Sequence, residues 1–225
     1  RDNVLNSSAH RDNRAKIKQW LIRALLKRHF GGTPDNLYPI YRKLIKDCDE
    51  GFPLEAIFVR FSGSSKSLDF YQEDIDNLLT VNYGTASAFM LLSLVYPLQH
   101  DYEFHQDHIH PKKYFTRRQL KSRGIDSEEK REAYIERVNH LPNLQLLQAT
   151  PNTEKGATMF EEWLSETNPD QNQLNQYKEL HLIPAEQSLA FDKFLKFYEE
   201  REKLLRARLE KLLNVKQAAA EDQEA

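Results

Sequence analysis

The chain is poor in cysteine, in glycine and in long apolar runs, and each shortage removes a class of function. One cysteine in 225 residues, Cys48, excludes an internal disulfide and any zinc knuckle built on several thiolates. It stands in the acidic "KDCDEG", a setting that does not favour a thiolate nucleophile. The seven glycines nowhere assemble into a phosphate-cradling loop, so nucleotide hydrolysis by this chain alone is not expected. No run of about 18 apolar residues exists to cross a membrane. The longest apolar stretch, "AFMLLSLVYPL" (88–98), reads as a buried helix. No secretory leader pattern is present, and a cytoplasmic setting is expected.

What remains is a chain with enough length for a real core, 40% hydrophobic and 29% charged, as in a globular protein with much exposed helix. The net charge of −2 is less telling than its distribution. Between Asp107 and Arg123 lie Lys112, Lys113, Arg117, Arg118, Lys121 and Arg123 against a single acid. The acids gather elsewhere, in "DCDEGF", "SEEKREAYIE" and "AAAEDQEA".

Apolar spacing predicts a helix over 14–29, ended by "GG" at 31–32, and a second from Pro34, with Thr33 as N-cap, to about Asp47. "EAIFVRF" (55–61) reads equally as strand or helix. Residues 70–82 and 85–96 read as two helices broken near Gly84. After residue 98 the texture changes. "YEFHQDHIHP" is extended, "FTRRQLKSR" and "DSEEKREAYIERVNH" are helical, "NLQLLQA" (143–149) has strand character, and 152–166 reads as one helix. Residues 188–213 form a long amphipathic helix whose Phe191, Phe194, Phe197 and Tyr198 are core, as are Trp20 and Trp163. The expected fold is mainly α with a small hairpin-plus-helix site, an α+β class. The expected division is a helical lead-in (1–98), a core (99–187) with a helical insertion (112–142), the long helix (188–215) and a disordered tail (216–225).

The stretch "FHQDHIHPKKYF" (104–115) places three of the eight histidines beside an aspartate. That composition fits a metal or acid–base site. Asp107 can supply a carboxylate to a hard divalent cation. His108, on the opposite strand face, can deprotonate water. Asn152, at the start of the predicted helix, can offer an amide oxygen, leaving most of the shell to water and phosphate, as Mg²⁺ or Mn²⁺ prefers.

"DHIHP" (107–111) followed by "NLQLLQATPNTEKG" (143–156) resembles the HNH, or ββα-metal, nuclease motif. The resemblance implies that the Asp–His pair ends the first strand, that Asn143 steadies the loop before the second, and that Asn152, nine residues on, ligates the metal. More narrowly the chain resembles the C-terminal nuclease domain of GmrSD-type modification-dependent restriction and phage-defence proteins, through "HLIP" (181–184), the closing helix, "FPLEAIF" and "SLVYPL". This implies an endonuclease acting on double-stranded, modified phage DNA. It also implies a longer protein whose N-terminal NTPase-like domain, with its "DGQQR"-type motif, gates cutting. Asn rather than His at the third motif position is common among HNH variants.

Alone, Asp107 and His108 would be an ordinary loop pair; Asn143 and Asn152 in register favour catalysis. His110 either braces the site or touches phosphate. His105, His140 and His181 read as structural. Lys155, one helical turn from Asn152, reads either as a surface lysine or as a phosphate contact, and Lys112, Lys113, Arg117 and Arg118 as a DNA edge beside the site. The rival readings are a DNA-binding or autoinhibitory module with an inactive HNH fold, and a purely structural helical scaffold.

Overall fold

Helix spacing and turn chemistry account for most elements of the computed structural model, which describes residues 10–32, 34–96 and 102–216. The expected cap at Thr33 and the tail beyond 216 lie outside the described residues. Helices α1 (Arg11–Leu26), α2 (Tyr38–Lys46) and α3 (Leu54–Phe61) come first. The ambiguous "EAIFVRF" is helix: Leu54, Ile57 and Phe61 share one buried face while Val59, off that face, is 77% exposed. Helices α4 (Gln72–Leu79) and α5 (Ala86–Val95) follow, parted at Gly84, where φ is 79°.

Strand β1 (Phe104–His108) pairs antiparallel with β2 (Leu144–Gln148). Between them sit α6 (Arg117–Ser122) and α7 (Glu128–Arg137). Thr116 and Ser127 cap these helices, their hydroxyls accepting from Gln119 N and Lys130 N. After β2 come α8 (Ala149–Lys155), α9 (Phe160–Thr167), α10 (Gln171–Leu180) and α11 (Phe194–Leu213). The single helix expected over 152–166 is instead two. Gly156, at φ 49°, ends α8 and lets the chain turn into α9. Among the described residues the fold is thus mainly helical with one two-stranded sheet, the α+β class expected.

The chain forms two compact units, Arg1–Gln72 with Leu213–Ala225, and Glu73–Leu212. The boundary expected at 98 therefore falls inside the second unit. In the first unit, Trp20, Phe30 and Phe52 pack against buried Tyr41, Ile57 and Phe61. In the second, Ile109, Tyr134 and Phe160 meet Phe194, Phe197 and Tyr198 of α11, so the long helix is part of this core rather than an appendage. Arg201 of α11 is fully buried. Its guanidinium donates to the carbonyls of Leu141, Pro142 and His181 and to the Tyr96 hydroxyl. It thereby holds the 3-10 turn Leu141–Asn143 that feeds β2. No helix among the described residues is long and apolar enough to cross a membrane.

Candidate functional site

Register decides which side chains share a face. Asp107 lies opposite Gln145, and His108 opposite Leu144. Alternation sends Asp107 to one face of the hairpin and His108 to the other.

On the His108 face, an isolated bridge between Asn82 and His140, with Tyr83 N donating to Asn139 O at 2.8 Å, brings two distant segments together. The Gln106 amide fastens the first of them to β1: Gly84 N donates to its Oε1 and its Nε2 donates to Thr85 O. The His108 ring sits between these segments. Tyr83 covers it at 4.2 Å between ring centroids, and Nε2–H donates to Asn139 Oδ1 at 3.0 Å. The amide oxygen only accepts, so the proton is assigned to Nε2 and the lone pair to Nδ1. Burial lowers the His108 pKa to about 4; the Asn139 hydrogen bond opposes the shift, and Lys112 and Lys155 reinforce it. His108 is neutral at neutral pH.

On the Asp107 face, Oδ2 accepts from Gln145 Nε2 and from Lys155 Nζ, each at 2.8 Å. Tyr177 donates to Gln145 Oε1 at 2.6 Å, which orients the amide. Lys155 also donates to His108 O at 2.6 Å. Burial pushes the Asp107 carboxyl up and the Lys155 ammonium down, and each holds the other toward its charged form. Lys155 is 1% exposed, so it is neither a surface lysine nor a phosphate contact in this arrangement.

Asn143 ends the 3-10 turn that leads into β2. It is wholly buried, its Oδ1 accepts from His110 N, and its Nδ2 donates to His110 O and Val138 O. Its own carbonyl accepts from Ile109 N. The residue thus locks the stretch after His108 onto the end of the insertion. Asn143→Ala strands these buried polar groups. It should lower unfolding free energy by about 2–4 kcal/mol, read as a reduced urea midpoint with unchanged slope. An unaltered midpoint would remove Asn143 from this role.

His110 braces rather than faces the site. It is 1% exposed, its ring packs edge-on against Phe194 and Phe197, and burial lowers its pKa to about 3. Contact with a phosphate is excluded in this arrangement. Asn152 is half-buried in α8, one turn before Lys155. The contacts that assemble the site run through Asp107, His108, Asn143 and Lys155, and none of them involves the Asn152 side chain. His105 is exposed beside Glu103; His140 meets the Tyr198 hydroxyl; His181 is buried and stacked on Tyr177.

Lys112, Lys113, Arg117 and Arg118 are all exposed. Arg117 is already engaged by Glu132 at 3.0 Å and Glu128 at 3.3 Å, which leaves it the least available of the four. Lys112 is near enough for its charge to act on His108.

Sequence reasoning misses Tyr83, Asn139, Gln145, Tyr177 and Arg201. Only Arg201 carries a signal, since it falls on the helical face of Phe194, Phe197 and Leu205.

Among the described residues no three His, Cys, Asp or Glu side chains cluster as metal ligands. Compared with models of protein families and with curated proteins, the chain matches none.

Proposed function

We propose that this chain is a metal-dependent DNA endonuclease domain that nicks duplex DNA. The observation that carries the reading is the hairpin end: Asp107 and His108 on opposite faces, Asn143 locking the connection, and α8 directly after β2.

Asp107 and Asn152 are oxygen donors of the kind that the resemblance assigns to a hard divalent cation; Asp107 is paired with Lys155 at 2.8 Å, and the site's contacts do not involve the Asn152 side chain. Asp107 and Asn152 would hold Mg²⁺ or Mn²⁺, which when bound supplies Lewis-acid stabilisation of the phosphate's developing charge. The rest falls to the protein. His108 Nδ1 takes the proton of the attacking water, and Asn139 keeps that nitrogen free. Gln145 and Tyr177 hold the carboxylate in orientation. Lys112, Lys113 and Arg118 attract the backbone without reading sequence.

The resemblance extends the proposal. The substrate would be modified phage DNA, and an N-terminal NTPase-like domain of the whole protein would gate the cut in the cytoplasm. The second reading, an inactive DNA-binding or autoinhibitory module, draws on one observation: Asp107 is already paired with Lys155.

A plasmid assay decides between them. Supercoiled DNA should relax to nicked circles with Mg²⁺ or Mn²⁺ and stay intact with EDTA. Supercoiled DNA persisting under every metal would sink the endonuclease reading.

The basic edge has its own test. For each phosphate that is no longer neutralised, the slope of log affinity against log salt should fall by about 0.9. Lys112, Lys113 and Arg118 changed together to Ala should flatten the slope by about 2–3 on any duplex. Arg117→Ala, whose guanidinium is already held by two acids, should change it little. Fluorescence anisotropy at several salt concentrations reads both; equal slopes for parent and triple variant would end the idea of a DNA edge.

A further inference from the structure

A cavity of about 530 Å³ lies within the second unit, lined from β2, α9 and α10. That volume suits a small organic molecule. Four rings run along it as a row. Trp163 meets Tyr177 edge-on at 5.8 Å between centroids, Tyr177 stacks on His181 at 4.0 Å, and Tyr96 lies 5.0 Å beyond His181. Both phenolic hydroxyls are committed elsewhere, Tyr177 donating to Gln145 and Tyr96 accepting from Arg201, so each residue has its ring to offer rather than its oxygen. Leu180, the last residue of α10, lines the same cavity and is 45% exposed, which gives the cavity an apolar rim.

His181 supplies a second, independent observation. It lines the cavity and is 7% exposed, and its Nδ1 has no hydrogen-bond partner among the described residues. Buried polar atoms are nearly always paired. Burial, reinforced by Arg201, lowers the His181 pKa to about 3, so at neutral pH the ring is uncharged and keeps a nitrogen lone pair for an N–H donor. Charge narrows the class further. Among the described residues no Lys or Arg lines the cavity, so an anion finds no partner there. Two buried cations stand against the ring row, Arg201 bonded to Tyr96 and Lys155 with its Nζ 5.9 Å from the Trp163 centroid, and both repel a cationic ligand.

We infer that this cavity is a binding site for a small, neutral, flat aromatic molecule carrying an N–H that pairs with His181. Rings packed edge-on or offset against the row gain more than their buried area alone supplies. The site lies apart from His108 and does not depend on the nuclease reading. It shares one side chain with the Asp107 face: Tyr177, which orients Gln145.

Indole is the probe, titrated calorimetrically into the full chain. It should bind with a dissociation constant on the order of 1 mM or tighter. 1-Methylindole, which lacks the N–H, should bind about tenfold more weakly. Indole-3-acetate, an anion, and 1-octanol, an aliphatic chain, should both bind more weakly than indole. Thr167→Trp, at an exposed helix end on the lining, fills the cavity and should abolish binding. His181→Phe keeps a ring on Tyr177 and should erase the preference for indole over 1-methylindole. In the parent, nuclear Overhauser contacts should join indole to the Tyr177 ring, an arm that needs no variant to fold. Indole left unbound up to its solubility limit overturns the inference, as does binding without contacts to Tyr177 or binding unchanged in folded Thr167→Trp. Tighter binding of 1-octanol or indole-3-acetate overturns the aromatic or the neutral class, and equal binding of the two indoles by the parent removes the pairing with His181. Plasmid nicking bears on none of these results, so the nuclease reading stands or falls separately.

Discussion

His108→Ala is expected to cut nicking by about 10²–10⁴-fold, the usual loss when a general base is removed. In activation terms that is about 3–5 kcal/mol. The fold should survive, because the side chain contributes one ring contact with Tyr83 and one hydrogen bond with Asn139. Circular dichroism and Mn²⁺ binding should therefore stay near the parent's. Nicking within a few-fold of the parent would remove His108 as the base. His110, buried among phenylalanines, could not take its place without rearrangement. A second readout separates the base from a merely structural histidine. The folded-state pKa of about 4 means that His108 remains unprotonated across the neutral range, so the rate should show no acid limb near pH 6–7. Asn139→Asp places a carboxylate on Nε2 and should lift the His108 pKa. Its rate should then fall on acidification where the parent's does not.

The other large effect is acid unfolding of the second unit. His108, His110 and His181 are held to pKa values of about 4, about 3 and about 3, mainly by burial. In the unfolded chain each takes up a proton near pH 6.5. Below that pH the unfolded state binds more protons, so stability rises with pH and falls as pH drops toward about 4. Three such groups give a slope of up to about 4 kcal/mol per pH unit once the unfolded histidines are charged. Asp107, whose carboxyl is raised by burial, works the other way, but it is a single group. Against a typical stability of about 5–15 kcal/mol, cooperative unfolding is expected between about pH 5.5 and 4. Urea midpoints at pH 7, 6 and 5 should decrease steeply. His110→Leu should remove about one third of the slope. A midpoint that is flat across this range would show that these rings are not buried neutral.

How much of this is legible in the sequence varies with the range of the interaction. The hairpin is legible because "YEFHQDHIHP" reads as extended and "NLQLLQA" has strand character, and β1 and β2 do fall within these two stretches. The insertion helices are legible from their local patterns, and Thr116 and Ser127 do cap them. Asn139 and Tyr83 are not legible. They meet through a bridge between segments more than fifty residues apart, and no local pattern announces a single long-range pair. Lys155 misleads for a general reason: lysine is almost always at the surface unless paired, and the pairing exists only after α8 docks on β1. The single helix over 152–166 fails because Gly156 permits a left-handed turn that apolar periodicity does not register. The two-unit division near Gln72 is not legible either, because α4 and α5 are helical like the lead-in yet group with the hairpin.

The helical insertion also governs when the site can exist during folding. β1 ends at His108 and β2 begins at Leu144, so about 35 residues must be spanned before the hairpin can close. Relative to a four-residue turn, closing such a loop costs about 2 kcal/mol more in chain entropy. Helices α6 and α7 are short, capped and local, and they can form first, shortening the effective span. The Arg201 clamp on Leu141 and Pro142 comes from a helix still further along the chain. The turn that feeds β2 therefore gains its full set of partners only once α11 has been made.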